Sequence, residues 1–268
     1  MKIWRVRAWL PGMLGLLCTA SAAWAGLPRD GTAPPALEIH STRVQYAEID
    51  GRAVYGYLST PADGQKAAAG VLLIHAWWGL DRHMRAETKR LARLGYAALA
   101  VDLFRGQVTR ERPVAARLAD IADSDAGDRL ANLEQAVNYL SKRRQATRIG
   151  VVGWSMGGRW ALKLASDLPQ AIDALAIFYA PPYTEPSQLA PLRMPVLAFF
   201  GGRDPFVPEQ VVAKFQWAAG LASTRADIHV YPDAQADFDN PESTAYNQAD
   251  ARDAERQLDE FLAEHLQH

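Results

Sequence analysis

The stretch Gly153-Trp154-Ser155-Met156-Gly157-Gly158 decides how the rest of the chain is interpreted. It follows an apolar run and precedes a helical pattern, which is the context of a nucleophile elbow. In G-x-S-x-G the serine occupies a strained strand-to-helix turn, and the N–H of the next residue helps to bind an oxyanion. We therefore expect Ser155 to be a nucleophile and the N–H of Met156 to be an oxyanion donor. The competing interpretation is a glycine-rich turn whose serine only caps a helix.

Apolar runs on both sides of this stretch alternate with segments of helical periodicity. Such runs are typical of strands buried on both faces of a sheet. They span 70–76, 97–104, 149–154, 174–180 and 195–200, with a last strand near 225–232. Upstream, 43–50 and 52–61 alternate and meet at Asp50-Gly51, which predicts an antiparallel edge hairpin. The sequence therefore predicts the α/β class, a mostly parallel sheet with helices on both faces and ligands at the carboxyl ends of its strands.

The amino terminus has the pattern of an export signal. Basic residues precede an apolar segment that ends at Ala23-Trp24-Ala25, which predicts a secretory signal peptide over residues 1–25. A membrane anchor is the alternative, and it is disfavoured because Pro11 and Gly12 interrupt a segment too short for a bilayer. We expect an exported, periplasmic or secreted protein, with a linker over 26–42 and a single domain over 43–268.

Composition excludes several function classes. The chain has 268 residues, of which 49% are hydrophobic, and this suits a single α/β domain. A net charge of −1 gives no general attraction for nucleic acid. The only cysteine, Cys18, lies in the predicted signal peptide, so the mature chain has no thiol nucleophile and no disulfide. Nothing in the composition calls for a cofactor.

An aspartate stands at the position where this fold places a catalytic acid. Asp204 follows the run 195–200 in the turn Gly201-Gly202-Arg203-Asp204-Pro205. Nucleophile followed by acid is the chain order of α/β-hydrolases. Asp before Pro is also common in turns without any catalytic role, so the position matters more than the motif.

Several segments together resemble the dienelactone hydrolase family over residues 43–266. The matching segments are Leu73-Ile74-His75-Ala76-Trp77-Trp78-Gly79-Leu80, Gly95-Tyr96 to Asp102-Leu103-Phe104, the elbow, Gly202-Arg203-Asp204-Pro205-Phe206-Val207-Pro208 and Tyr231-Pro232-Asp233-Ala234. The resemblance implies an α/β-hydrolase domain that hydrolyses a lactone or a small ester through a nucleophile, a histidine and an aspartate. Ser155 and Asp204 occupy two of those three positions.

The chain departs from the family pattern at two positions. Ala236 stands where the family's histidine is expected, in a segment whose register is fixed by Tyr231, Pro232 and Phe238. Ala76 replaces a glutamate that the family associates with a cysteine nucleophile. Serine is a weak nucleophile without a positioned base, and loss of the histidine in a serine hydrolase costs about a millionfold in turnover. Either another group supplies the base, or the chain is a poor enzyme or a binding protein that has kept the pocket.

Histidines and carboxylates elsewhere in the chain are candidate replacements for the missing base or candidate further site residues. His75, at the end of a strand next to the elbow strand, is the best substitute base, whereas His229 lies too far along the last strand. His83 opens a helix near the expected pocket mouth. Asp233, Asp237 and Asp239 match no standard metal loop and are expected to be solvated.

Aromatic side chains at the same sheet edge are candidates for the substrate pocket. Trp77, Trp78, Phe104 and Tyr179 could enclose the acyl group of a small ester or lactone, and the backbone of Ala76 or Trp77 could supply the second oxyanion N–H. By the resemblance, Arg105 could contact a substrate carboxylate. Core packing is the alternative for each aromatic ring, and no metal is expected.

Overall fold

One sheet of eight strands runs through the described part of the chain, residues 38–62 and 68–267 of a computed structural model. The strands are β1 (Ile39–Ile49), β2 (Arg52–Pro61), β3 (Ala69–Ile74), β4 (Ala97–Ala100), β5 (Arg148–Trp154), β6 (Ala174–Phe178), β7 (Val196–Gly201) and β8 (Ala226–Tyr231). Their order across the sheet is β1-β2-β4-β3-β5-β6-β7-β8. Strands β1 and β2 are antiparallel to their neighbours, and β3 to β8 are parallel.

The edge hairpin forms where the alternating pattern predicts it. Asp50 and Gly51 have φ values of 52° and 70°, as a two-residue hairpin turn of right-twisted strands requires. Strand β1 begins at Ile39, so residues 39–42 of the predicted linker belong to the sheet. A hydrogen bond of 2.8 Å between the hydroxyls of Ser41 and Ser59 ties this extension to β2.

Helices cover both faces of the sheet. They are α1 (Arg82–Arg93), α2 (Arg112–Ser124), α3 (Ala126–Asn138), α4 (Met156–Asp167), α5 (Pro186–Leu189), α6 (Glu209–Ala222) and α7 (Gln248–Leu266), and α3 continues as a π-helical turn over Tyr139–Arg143. Leu91 of α1 and Leu258 of α7 belong to the core on one face, whereas Leu133 of α3 and Phe215 of α6 belong to the core on the other. The α/β-hydrolase class predicted from the sequence is confirmed.

Strand β4 is shorter than the apolar run that predicts it. The run extends to Phe104, but the strand ends at Ala100. The reason is the side chain of Asp102, which accepts hydrogen bonds from the backbone N–H groups of Phe104 and Gly106 and turns the chain out of the sheet. Residues 101–104 are buried but lie outside the strand, and an apolar sequence pattern cannot distinguish such residues from a buried strand.

The predicted signal peptide lies outside the described residues, as does most of the predicted linker. Within the described ranges, no helix combines the length and apolar composition that a membrane crossing needs.

Candidate active site

Ser155 occupies a strained turn between β5 and α4. Its φ and ψ are 51° and −116°, a conformation that is uncommon for any residue with a Cβ. The N–H of Ser155 donates to the carbonyl of Phe178 at 2.9 Å, and its carbonyl accepts from the N–H of Gly158 at 3.0 Å. Its side chain makes no capping hydrogen bond to α4, so the interpretation of Ser155 as a simple helix cap is not supported. Strain of this kind costs about 1–3 kcal/mol and clusters at functional sites.

Gly157 allows the elbow to pack against the end of β3. A Cβ at this position would lie 2.1 Å from the carbonyl oxygen of Ile74 and 2.5 Å from that of His75. Backbone atoms cannot yield as a flexible side chain can, so only glycine fits. The first turn of α4 therefore lies directly against Ile74 and His75. These residues immediately precede the segment Ala76–Trp77, which is expected to supply the second oxyanion donor.

The N–H of Met156 is at the first position of α4, where a helix leaves its N–H groups without internal partners. Among the described residues, neither Met156 nor Trp77 donates a backbone hydrogen bond to another backbone group outside regular elements. Both N–H groups therefore lack a backbone acceptor of this kind, and their role as oxyanion donors stays a prediction.

Asp204 is buried with one oxygen satisfied and the other not. The residue is 3% exposed, and Oδ1 accepts a hydrogen bond from the N–H of Phe206 at 2.8 Å. Oδ2 is buried and has no hydrogen-bond partner among the described residues. Burial raises the pKa of Asp204 above its ordinary value, and the backbone N–H groups of Phe206 and Val207 offset this only in part. In a catalytic triad, a histidine N–H donates a hydrogen bond to the aspartate, and Oδ2 of Asp204 has no such donor among the described residues.

Ala236 lies half-buried in the loop after β8, next to the turn that carries Asp204. The N–H of Gly202 donates to the carbonyl of Tyr231 at 2.7 Å, and the N–H of Arg203 donates to the carbonyl of Ala234 at 2.9 Å. The side chain of Arg203 forms a surface ion pair with Asp233. These bonds hold the loop after β8 against the turn. The assignment of position 236 to the family's histidine stays a prediction.

His75 is committed to the backbone. It is completely buried, its Nδ1 lies 2.6 Å from the carbonyl of Ala76, and its Nε2 accepts from the N–H of Leu103 at 3.1 Å. This arrangement fixes the neutral imidazole with the proton on Nδ1, and burial lowers the pKa of His75. Both nitrogens are occupied, so neither is free to accept the Ser155 proton. The expectation that His75 could be the substitute base is therefore corrected to a structural role.

Asp237 and Asp239 are partly buried and hydrogen-bonded, where the sequence suggests a solvated loop. Oδ2 of Asp237 accepts from Nε1 of Trp78 at 2.9 Å. Asp239 accepts from the hydroxyl of Tyr179 at 2.8 Å and from Nε1 of Trp154 at 2.7 Å. These bonds tie the loop that carries Ala236 to the elbow strand, to the end of β6 and to the segment after β3. Only Asp233 of the three carboxylates is exposed.

His83 completes this buried cluster. Its Nε2 lies 3.7 Å from Oδ2 of Asp239, and both side chains are about nine-tenths buried, at 8% and 11% exposure. Burial acts to lower the pKa of His83, but the adjoining Asp239 carboxylate and the charges of Glu87 and Asp81 outweigh it and raise the pKa to about 9. Burial likewise acts to raise the pKa of Asp239, but His83, Trp154 and Tyr179 lower it overall. The raised pKa favours the protonated form of His83 beside Asp239, and it makes His83 unsuited to be a general base at neutral pH.

The predicted pocket aromatics divide between surface and core. Trp77 is half-buried and lies edge-on to Phe206 at 6.2 Å, so these two rings can enclose a substrate beside Asp204. Phe104 is 4% exposed and packs against His75 at 4.8 Å, which corrects its assignment from pocket to core. The polar ends of Trp78 and Tyr179 are used by Asp237 and Asp239, and these residues are corrected to parts of the cluster.

Arg105 lines a cavity other than the one expected at Ser155. This cavity lies beside the β1–β2 hairpin, and the residues that line it include neither Ser155 nor Asp204. Among the described residues, no group of three His, Cys, Asp or Glu side chains could hold a metal ion.

Two features of the site escape the sequence patterns. The burial of Asp237 and Asp239 could have been inferred from Trp78 and Trp154, because a buried indole N–H needs an acceptor. The position of Phe206 beside Trp77 could not have been inferred, because a single exposed aromatic residue in a turn belongs to no periodic sequence pattern.

Comparison with known proteins places this geometry in a family. The model of the dienelactone hydrolase family matches residues 54–266. A relative from Salmonella typhimurium, named "Putative carboxymethylenebutenolidase", is 28% identical over 264 residues, which cover 88% of this chain and 96% of the relative. "Protein usf" from Aquifex pyrophilus is 28% identical over 82% of this chain and 96% of its own length.

Solved structures show the same fold. A dienelactone hydrolase-like promiscuous phosphotriesterase, P91, from metagenomic libraries is similar with a TM-score of 0.76 at 18% identity, over 84% of this chain and 98% of its own. The dienelactone hydrolase of Anabaena variabilis is similar with a TM-score of 0.66 at 23% identity, over 85% and 99% respectively. At these identities the likeness concerns the fold alone.

Proposed function

Because the chain belongs to the dienelactone hydrolase family, we propose that it hydrolyses a small carboxylic ester or lactone through an acyl-enzyme on Ser155, at a rate limited by the absence of an imidazole at position 236. The observation that carries this proposal is the conformation of Ser155, with φ 51° and ψ −116°, at the start of α4. A helix cap has no need of such a strained backbone, whereas a presented nucleophile does.

The proposed reaction begins with attack of the Ser155 oxygen on the carbonyl carbon of the substrate. The carbonyl oxygen becomes an oxyanion that the N–H groups of Met156 and Trp77 stabilise. The hydroxyl proton passes to water, because Ala236 offers no acceptor. Collapse of the tetrahedral intermediate breaks the bond to the leaving oxygen, which takes a proton from water to give the free alcohol or the opened lactone. Water then hydrolyses the acyl-serine, which releases the acid and restores the Ser155 hydroxyl.

The oxyanion donors and substrate binding alone sustain a rate enhancement of about 10³–10⁴ relative to the reaction in water. Proton transfer by a positioned group is worth about 10²–10⁴. We therefore expect slow turnover, and we expect the rate to rise continuously with pH because no imidazole titrates at the site.

The proposal is tested by covalent labelling. The mature chain and its Ser155→Ala variant are incubated with a fluorophosphonate, and the adduct is mapped by mass spectrometry, while hydrolysis of 4-nitrophenyl acetate is followed in parallel. We expect slow labelling of the peptide that contains Ser155 and hydrolysis above the level of Ser155→Ala. Ser141→Ala, at a half-buried position of the π-helical turn, is the matched control and should behave as the unaltered chain. Equal background signals from the unaltered chain and Ser155→Ala would refute the proposal.

A second function is favoured by the unpartnered Oδ2 of Asp204, an atom that finds no hydrogen-bond donor among the described residues. Under this alternative, the chain is a binding protein that has kept the pocket and lost the reaction. It predicts background labelling at Ser155 together with saturable binding of an intact lactone, which equilibrium dialysis would measure without any product being formed.

A further inference from the structure

A second concave site lies beside the edge hairpin. A cavity of about 480 Å³ is enclosed by the β1–β2 hairpin, the start of α1 and the loop after β4. Four arginines line it, one or more from each wall: Arg43, Arg52, Arg85 and Arg105. Cavities of this size are typical of sites for small molecules.

Two of these guanidinium groups are held on aromatic rings. Cζ of Arg43 lies 3.7 Å from the centre of the Tyr55 ring, and Cζ of Arg85 lies 5.5 Å from that of Tyr57. Arg43 and Tyr57 are direct partners across the hairpin. Stacking of this kind orients the planar guanidinium and leaves the N–H groups at its edge free to bind an anion in pairs.

The cavity has little negative charge of its own. Asp102 is the only acidic residue among those that line it, and both of its oxygens accept backbone N–H groups, from Phe104 and Gly106. Arg105 forms a long ion pair of 3.9 Å with Asp128, and both side chains are partly exposed. Arg43, Arg52 and Arg85 form no ion pair with any residue in the described ranges.

The lining of this cavity includes neither Ser155 nor Asp204. The residues that line it belong to β1, β2, α1 and the segments after β3 and β4, whereas Ser155 follows β5 and Asp204 follows β7. We propose that the arginine cavity binds a small organic molecule that carries two or more carboxylate or phosphate groups. Arg43 and Arg85 bind these groups in bidentate fashion, and Arg52 and Arg105 complete the charge at the rim.

The test is calorimetric titration of the mature chain with citrate and, separately, with pyrophosphate. We expect saturable binding of one molecule of at least one probe, with an affinity that falls as NaCl is raised from about 50 to about 300 mM. The probe that binds more tightly identifies carboxylate or phosphate as the preferred group. Arg43→Gln/Arg85→Gln should weaken binding by about 10-fold or more, as expected for loss of charge-assisted hydrogen bonds. Ser155→Ala should bind as tightly as the unaltered chain, which separates this result from the fate of the proposed hydrolysis.

Arg112→Gln/Arg117→Gln is the matched control, since it removes two exposed charges from α2 outside the cavity. It should leave the affinity within about 2-fold. Thermal melts check that each variant is folded, and Arg52→Gln/Arg105→Gln provides a second pair if the first is not. Failure of both probes to bind saturably, or an equal loss of affinity in the control pair, would overturn the proposal.

Discussion

The backbone N–H of Arg203 donates a hydrogen bond of 2.9 Å to the carbonyl of Ala234, and this contact joins the turn that carries Asp204 to the loop that carries Ala236. Close to it, Oδ2 of Asp204 is buried without a hydrogen-bond partner among the described residues. The chain therefore keeps the strained presentation of Ser155 and the burial of Asp204 but has no imidazole at position 236.

The unpartnered charge of Asp204 should destabilise the fold. Its pKa is raised by burial, so the folded state binds the proton more tightly than the unfolded state, and stability falls as pH rises from about 3.9 through the raised pKa. Asp204→Asn keeps the acceptor for Phe206 and removes the charge. We expect it to increase the free energy of unfolding by about 1 kcal/mol at pH 7, with the gain shrinking toward pH 4.

Urea unfolding from pH 4 to 8 measures this effect. The control is Asp233→Asn, at an exposed position paired with Arg203, which should change stability by less than about 0.5 kcal/mol. A loss of stability in Asp204→Asn at pH 7 would show that Oδ2 has a partner in solution.

The pair of His83 and Asp239 should make the free energy of unfolding fall as pH rises through the alkaline range, whereas most carboxylates affect it in the acidic range. The pKa of His83 is raised from 6.5 to about 9 against the effect of burial, chiefly by Asp239 with help from Glu87 and Asp81. The stabilisation is complete below pH 6.5 and is lost as pH rises through about 9. It amounts to about 3 kcal/mol, because the pKa rises from 6.5 to about 9 and each pKa unit corresponds to about 1.36 kcal/mol.

Unfolding free energies at pH 6, 7.5 and 9.5 test this prediction. The decline with pH should be largely absent in His83→Gln and retained in His40→Gln, an exposed histidine of β1. The same decline in both variants would mean that groups other than His83 titrate in this range.

Gly157 should tolerate no side chain. A Cβ would stand 2.1 Å from the carbonyl oxygen of Ile74, so Gly157→Ala must displace either the elbow or the end of β3. We expect a loss of about 3 kcal/mol or more in the free energy of unfolding.

Gly127 in α3 is the matched control, because a Cβ added there would meet no atom within 4 Å. Gly127→Ala should stabilise the fold by about 0.5–1 kcal/mol, since alanine loses less conformational freedom in a helix. Thermal and urea unfolding of the two variants compare the effects directly, and similar values for both would contradict the close packing of the elbow.

The fold could be predicted because its signals are local. The turn Asp50-Gly51 fixes the hairpin, and the apolar runs fix the buried strands, since each depends on residues adjacent in the chain. The apolar pattern makes β4 too long because Asp102, which ends the strand, acts through the hydrogen bonds of its side chain.

The site was only partly predictable because its chemistry depends on contacts between distant segments. The motif places Ser155 and Asp204, but the role of His75 is set by Leu103, 28 positions along the chain. The burial of Asp237 and Asp239 is likewise set by aromatic partners elsewhere in the chain, Trp78, Trp154 and Tyr179. The periodicity of a sequence does not indicate such distant partners. A cluster of hydrogen-bonded carboxylates therefore has the same sequence pattern as a solvated loop.

The most direct test of the account is the rate of ester hydrolysis by Ala236→His, measured as kcat/KM from pH 5 to 9 beside the unaltered chain. The account predicts a gain of about 100-fold or more, an inflection near pH 6.5 that the unaltered chain lacks, and loss of the gain when Ser155→Ala or Asp204→Asn is added. A folded Ala236→His variant with no gain in rate would contradict the claim that Ser155 and Asp204 are presented as a hydrolase site that lacks only its base.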